Sequence, residues 1–206
     1  WCEQRDSESS VTRFRAVSAT QAETSGSMEG TVMTRVFVMT NHKGGVGKSV
    51  MSRVLAQYFI DNSIPFMGFD TDKSHGTLLR FYSDFTSSIT IDNYESLDNL
   101  VETLSENPDT HVVVDLAAQN FAPLSAWIDD SGLFDMLQEL NTAVFFWHVM
   151  DDGMDSLNLL DKLLDSYGTK VSSDILLNFG RGTNFKLFEE SQQKQKALEM
   201  NANVMK

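Results

Sequence analysis

The stretch NHKGGVGKSV at 41–50 sets lysines on both sides of three closely spaced glycines, and those residue types at that spacing suit a polyphosphate. Glycines let consecutive backbone N–H groups turn inward around anionic oxygens. Gly47, Lys48 and Ser49 fill the end of the phosphate-loop pattern, Gly, four residues, Gly-Lys-Ser/Thr, whose first glycine is replaced here by His42. The Lys48 ammonium would reach the β- and γ-phosphates, and the Ser49 hydroxyl would coordinate Mg²⁺. A helix opening at Ser49 would add the favourable field of its N-terminus. Gly44, Gly45, Val46, Gly47, Lys48, Ser49 and Val50 therefore form the candidate nucleotide cradle. Lys43, ahead of the glycines, has no role in that pattern and needs its own explanation.

Acids stand at the ends of apolar runs elsewhere in the chain. Asp115 follows three valines, where a carboxylate can support Mg²⁺. Asp70 and Asp72 in FDTDKSHGTL make an Asp-x-Asp pair suited to metal support and to orienting an attacking water. Alone, such a pair is equally at home in a solvated turn. Ser49, Asp70 and Asp115 are the candidate metal residues. The four histidines, His42, His75, His111 and His148, show no metal-ligand spacing. His42 reads as a backbone placeholder, and His111 and His148 as packed, hydrogen-bonded residues.

These residues need elements to hold them. The β-branched run at 32–40 reads as a buried strand leading into the glycine loop. A helix at 49–62 follows, with Val50, Val54, Leu55, Tyr58 and Phe59 on one stripe. Strands are expected at 64–70, 111–117, 142–150 and 173–180, with a short one at 88–91. Helices are expected at 94–107, 121–140, 155–168 (closed by Gly168) and 185–200. NANVMK at the end resembles the start of another strand, so the chain reads as C-terminally truncated. Alternating strands and helices imply a three-layer α/β fold, a mostly parallel sheet with helices on both faces. Ligands of such sheets bind beyond the carboxyl ends of the strands, where Asn41 to Ser49, Asp70 to Asp72, Asp115 and Asn178 all fall.

Composition limits the function further. The 206 residues carry a formal net charge of −13. Residues 31–206 hold 13 basic and 24 acidic residues, or −11, which argues against a broad electrostatic grip on DNA or an anionic membrane. The one cysteine, Cys2, allows no disulfide within the chain and fits a reducing, cytoplasmic setting. No run approaches the roughly 20 apolar residues needed to span a bilayer, and no secretion signal opens the chain. Residues 1–30, polar and aperiodic, read as a disordered extension or as sequence upstream of a start at Met28 or Met33. The chain begins at Trp1, as a fragment or processed form would. Residues 31–206 read as one domain.

KGGVGKS (43–49) resembles the deviant phosphate loop of the ParA/MinD family of P-loop ATPases, DTD (70–72) is similar to that family's second motif, and VVVDLAAQ (112–119) to its magnesium-binding strand. The resemblance spans residues 34–180. It implies a Rossmann-like P-loop NTPase domain that binds ATP with Mg²⁺ and pairs with a second copy across the nucleotides. It assigns Lys43 to the partner's phosphates, Lys48 to the chain's own, and Asp72 to positioning the catalytic water. Asn178 matches the position that hydrogen-bonds adenine. Phe179 and Arg181 stand where a guanine site of the Asn/Thr-Lys-x-Asp type would need lysine and aspartate, which favours ATP over GTP. After DTD the chain departs from the Asp-Pro-Gln of partition proteins. VVVDLAAQNFAPLSAWI and LLNFGRGTNF look most like ATPases of plasmid conjugal-transfer and mobilisation regions.

The leading expectation is an ATP-driven homodimerisation switch that positions DNA, a relaxosome or another DNA-processing partner, with direct DNA binding left open. The other readings are a ligase-like enzyme on the same fold and a nucleotide-binding regulator without turnover.

Overall fold

The structure, a computed structural model, describes residues 34–91 and 93–206. The expected disordered extension at 1–30, the candidate starts Met28 and Met33, Cys2, and residues 32–33 of the first strand lie outside the described residues. The strands are β1 (Thr34–Thr40), β2 (Phe66–Asp70), β3 (Thr86–Ser88), β4 (His111–Asp115), β5 (Thr142–Met150), β6 (Ser172–Leu177) and β7 (Asn203–Met205). The helices are α1 (Lys48–Asp61), α2 (Thr77–Phe81), α3 (Tyr94–Glu106), α4 (Phe121–Ser131), α5 (Leu133–Glu139), α6 (Met154–Tyr167), α7 (Lys186–Glu189) and α8 (Gln192–Glu199).

The seven strands form one sheet in the order β3-β2-β4-β1-β5-β6-β7, and every neighbouring pair is parallel. Parallel strands covered on both faces read as continuous apolar runs, and all five residues of β4 are buried. Alternate residues feed opposite layers. Val36, Val38, Val112 and Val114 pack with Leu97, Leu104, Leu124 and Trp127 of α3 and α4. Phe37, Met39 and Val113 pack with Leu55, Phe59 and Leu78 of α1 and α2. The expected three-layer α/β architecture is the one observed. The strand anticipated in NANVMK is β7, paired with β6.

Several boundaries differ from expectation, each for a local reason. The helix placed at 121–140 is two helices, broken at Gly132, whose φ of +65° is left-handed backbone that favours glycine. The helix placed at 185–200 is also two; Ser191 starts the second by accepting from the Lys194 N–H at 3.1 Å. The short strand lies at Thr86–Ser88 rather than 88–91, and α2 was not anticipated. Gly168 does end α6, but in right-handed backbone. Glycine is needed there because a Cβ would come within 2.7 Å of the Leu164 carbonyl oxygen.

The stripe on α1 is only partly right. Leu55 and Phe59 are buried together with Ser52 and Ala56, whereas Val50, Val54 and Tyr58 face solvent. Small residues let the helix approach the sheet closely, which an apolar count does not register. Among the described residues, no helix is long and apolar enough to cross a membrane.

Candidate nucleotide site

The loop 41–47 leaves the carboxyl end of β1, the central strand, and enters α1 at Lys48. Gly45 (φ +79°) and Gly47 (φ +109°) take left-handed backbone that a side chain resists. Among the described residues, no atom beyond the adjoining ones lies within 4 Å of where a Cβ would sit at Gly44 or Gly45. Gly44 and Gly45 are exposed, so packing does not explain both glycines, and the loop leaves room for a ligand to approach its backbone. Val46 anchors the loop in a cluster with Val149 and Leu176. Among the described residues no side chain caps the N-terminus of α1, and no acid occupies its first turn, which suits an anion there.

Lys48 is buried and donates to the Lys43 carbonyl at 2.9 Å. Burial lowers its pKa, and the nearby Asp115 carboxylate opposes that shift. Asp115 ends β4 beside this lysine. Burial pushes its carboxyl up to about 6 and Asp70 adds to the rise, while the hydroxyls of Ser49 and Ser52 and the charge of Lys48 hold it down. Its Oδ1 is buried without a hydrogen-bond donor among the described residues. A buried carboxylate oxygen lacking a partner, near the Ser49 hydroxyl and behind the phosphate cradle, fits a divalent cation. Ser49 and Asp115 are the residues that would hold it.

The Asp-x-Asp segment is organised differently from expectation. Both Asp70 oxygens already accept backbone N–H groups, Oδ1 from Asp72 at 3.0 Å and Oδ2 from Leu79 at 3.1 Å. Asp70 therefore shapes the loop that leads into α2. Asp72 is half-buried, and its Oδ1 accepts from the Ser74 and His75 N–H groups, each at 2.9 Å. Between them, Thr71 joins the two acid-bearing strands. Its hydroxyl donates to the Asp115 carbonyl at 3.1 Å and accepts from the Ala117 N–H at 2.8 Å.

On the other side of β1, Lys43 forms an ion pair with Asp151 at 2.6 Å. That hydrogen bond raises the lysine pKa. Burial alone would raise the Asp151 carboxyl, but donors from Lys43, Ser156 and the Gly153 N–H hold it below its ordinary value. Ser156 and Asn41 complete this network: Ser156 Oγ donates to Asp151 at 2.7 Å, and buried Asn41 donates to Val149 O at 2.8 Å. Asn178, at the end of β6, donates to Val46 O at 2.7 Å and accepts from the Gly180 N–H at 3.0 Å. It thus ties the loop after β6 to the phosphate loop. Gly47 allows this contact, since a Cβ there would sit 2.3 Å from the Asn178 amide nitrogen.

Asp151, Ser156 and Thr71 were missed from the sequence. The signal for Asp151 was present, because it follows a strand just as Asp115 does. His111 and His148 are packed and hydrogen-bonded as expected, to the Arg35 N–H at 3.2 Å and to the Ser156 carbonyl at 3.0 Å. His42 lies exposed at the loop with its ring 4.3 Å from that of Phe121.

No protein-family model matches the chain. Over 160 residues it is 26% identical to protein MobD of Acidithiobacillus ferrooxidans, covering 76% of this chain and 69% of MobD. Over 154 residues it is 28% identical to a protein TraL of Escherichia coli, covering 71% of this chain and 64% of TraL. The chain thus spans about two thirds of the length of these relatives. Among solved structures it is similar to the cell division protein FtsY of Thermotoga maritima, with a TM-score of 0.56 and 13% identity over 83% of this chain and 60% of that one. It is also similar to the signal recognition particle 54 kDa protein of Aeropyrum pernix in complex with GDP, with a TM-score of 0.52 and 14% identity over 84% of this chain and 40% of that one. These neighbours share the three-layer fold. The expected resemblance to P-loop proteins of the ParA/MinD kind agrees with that fold.

Proposed function

From this P-loop NTPase fold, we propose that the chain binds Mg-ATP, hydrolyses it, and uses the bound nucleotide to pair with a second copy of itself. The observation that carries the reading is the buried Lys48 ammonium beside Asp115, whose Oδ1 has no donor, beneath two exposed glycines. A buried cation lacking a carboxylate hydrogen bond among the described residues favours a polyanion. Lys48 and the amides of 44–50 would bind the phosphates. Ser49 and Asp115 would hold Mg²⁺, which supplies neutralisation of phosphate charge when bound. Asp72 would orient the attacking water.

Lys43 carries the dimerisation part of the reading. It is about a third exposed and paired with Asp151, a partner it would leave for a neighbour's phosphates in this reading. A cation contributed in trans to transferring phosphoryl groups accounts for the second lysine of the loop. The names of the MobD and TraL relatives support a setting in plasmid mobilisation or conjugal transfer, or in positioning DNA or another cargo. A protein partner such as a relaxosome component suits the charge of −13 better than direct DNA coating does.

GTP is the second reading for the base. Both ends of the Asn178 amide are engaged by the chain itself, which reduces its weight as an adenine contact, and the similar signal recognition particle protein holds GDP. Turnover of ATP and of GTP, measured side by side with and without DNA, separates these outcomes. Light scattering with Mg²⁺ and nucleotide tests pairing. Absence of turnover and of pairing with either nucleotide would overturn the switch.

A further inference from the structure

We propose that Asp152 is a positioning residue for the nucleobase: from the loop after β5, its carboxylate braces the loop after β6 in the shape that sets Asn178 and Phe179 beside the phosphate cradle. The proposal rests on the nucleotide-binding reading above.

Asp152 Oδ2 accepts two backbone N–H groups, from Thr183 at 2.8 Å and from Asn184 at 3.0 Å. Those donors hold its carboxyl below the ordinary carboxylate range. Two donors on one oxygen fix both the place and the orientation of the segment that carries them. Gly182 presses against the same residue, since a Cβ there would come 2.7 Å from Asp152 Cγ and 2.7 Å from its backbone nitrogen. Only a residue without a side chain allows this approach of one loop to the other.

At its other end the loop is tied to the cradle by Asn178, which bonds to Val46 and accepts from the Arg181 and Gly182 N–H groups on its carbonyl. The loop 178–184 is therefore hung between two anchors, one on the phosphate loop and one on Asp152. Between them, Phe179 presents a half-exposed ring that rests on Phe185 with centroids 4.7 Å apart. A braced aromatic face next to a phosphate cradle suits a planar base by stacking. The phosphate-directed groups, Lys48 and Ser49, make no hydrogen bond with Asp152 among the described residues. Loss of the brace should then weaken the part of the affinity that depends on the base and spare the part that depends on phosphate.

Calorimetry with Mg-ATP and with Mg-tripolyphosphate, which has no base, tests this on the wild type and on Asp152→Ala, Asp152→Asn and Gly182→Ala. The wild type should prefer ATP, and Asp152→Ala and Gly182→Ala should each lose about tenfold in ATP affinity while tripolyphosphate affinity stays within about twofold. Asp152→Asn keeps an acceptor oxygen and should fall between. An equal loss for both ligands, or no loss for ATP, would show that the brace has no bearing on the base. Circular dichroism identifies any variant that fails to fold, and the conservative Asp152→Asn keeps the comparison decisive. A wild type that binds both ligands equally overturns the base-positioning role and leaves the phosphate site standing. One that binds neither sinks the nucleotide reading, and this proposal with it.

Discussion

The two lysines of the loop stand five residues apart in opposite surroundings. Lys48 lies on the β4 side of the site, buried, with its pKa lowered by burial and its ammonium bonded, among the described residues, only to a carbonyl. Lys43 lies on the β5 side, a third exposed, paired with Asp151 and with its pKa raised by that bond. The first is short of negative charge and gains from any polyphosphate that arrives. The second is already compensated and gains only where a new anion offers more than Asp151 does. In the function proposed above, the β4 side serves binding and the β5 side a conditional move.

The sharpest way to break this contrast is to remove each lysine in turn. Lys43→Ala should lower ATP turnover by at least about 10²-fold, by analogy with cations that act in trans on a transferring phosphoryl group, while ATP affinity stays within about threefold. Lys48→Ala should instead weaken ATP binding by about 10²-fold, the loss of a charge-assisted contact in a buried setting. Titration calorimetry and a phosphate-release assay read both. If Lys43→Ala lost binding, or Lys48→Ala kept it, the division between the two sides would collapse.

A third prediction concerns acid stability and belongs to the β5 side. His148 is fully enclosed, and burial holds its pKa down to about 4 against a bond to the Ser156 carbonyl. The unfolded chain binds a proton at this residue below its ordinary value of 6.5, whereas the folded chain does not until about pH 4. Stability from this group is therefore complete above about pH 6.5 and is lost as pH falls toward 4. The loss is on the order of 3 kcal/mol. His148→Gln keeps a donor for the carbonyl and removes the titration, so urea unfolding at pH 4.5 and pH 7 should show a smaller difference than in the wild type. Parallel profiles for the two proteins would mean that His148 titrates without consequence for folding.

The fold was legible because parallel strands covered on both faces must be apolar throughout. HVVVD is buried throughout and TAVFFWHVM is buried or half-buried at every position, and their spacing by helical segments implies the parallel order. The strand–loop–helix turn at 41–48 was legible for a related reason: glycines at that spacing serve one backbone geometry. What failed was local. Gly132 lies inside a helical pattern that its left-handed backbone interrupts, and a glycine is a common helix stop. Ser52 and Ala56 belong to the buried face of α1 without standing out in the sequence, because small residues pack by proximity and do not raise an apolar count. Pairings across the sheet were harder still. Nothing in the spacing of Lys43 and Asp151 connects them, since their contact follows from β1 and β5 being neighbours. The double role of Asp70 as a backbone acceptor likewise depends on where α2 begins, and α2 is too short to announce itself.

The smallest expected effect sharpens the comparison most. Asp151→Asn removes the charge that holds Lys43 and keeps an oxygen for the Ser156 hydroxyl and the Gly153 N–H, which bond to it at 2.7 Å and 3.2 Å. The pair is partly exposed, so it restrains the lysine by no more than about 1 kcal/mol, or about fivefold in the population of free Lys43. The variant should bind ATP as the wild type does and pair with its twin up to about fivefold faster in light scattering, provided that release of Lys43 limits pairing. A residue that merely shaped its loop would behave otherwise: its loss would lower the unfolding midpoint and leave the rate of pairing where it was. The Asp151→Asn pairing rate therefore reports whether the ion pair restrains a moving part or only closes a turn.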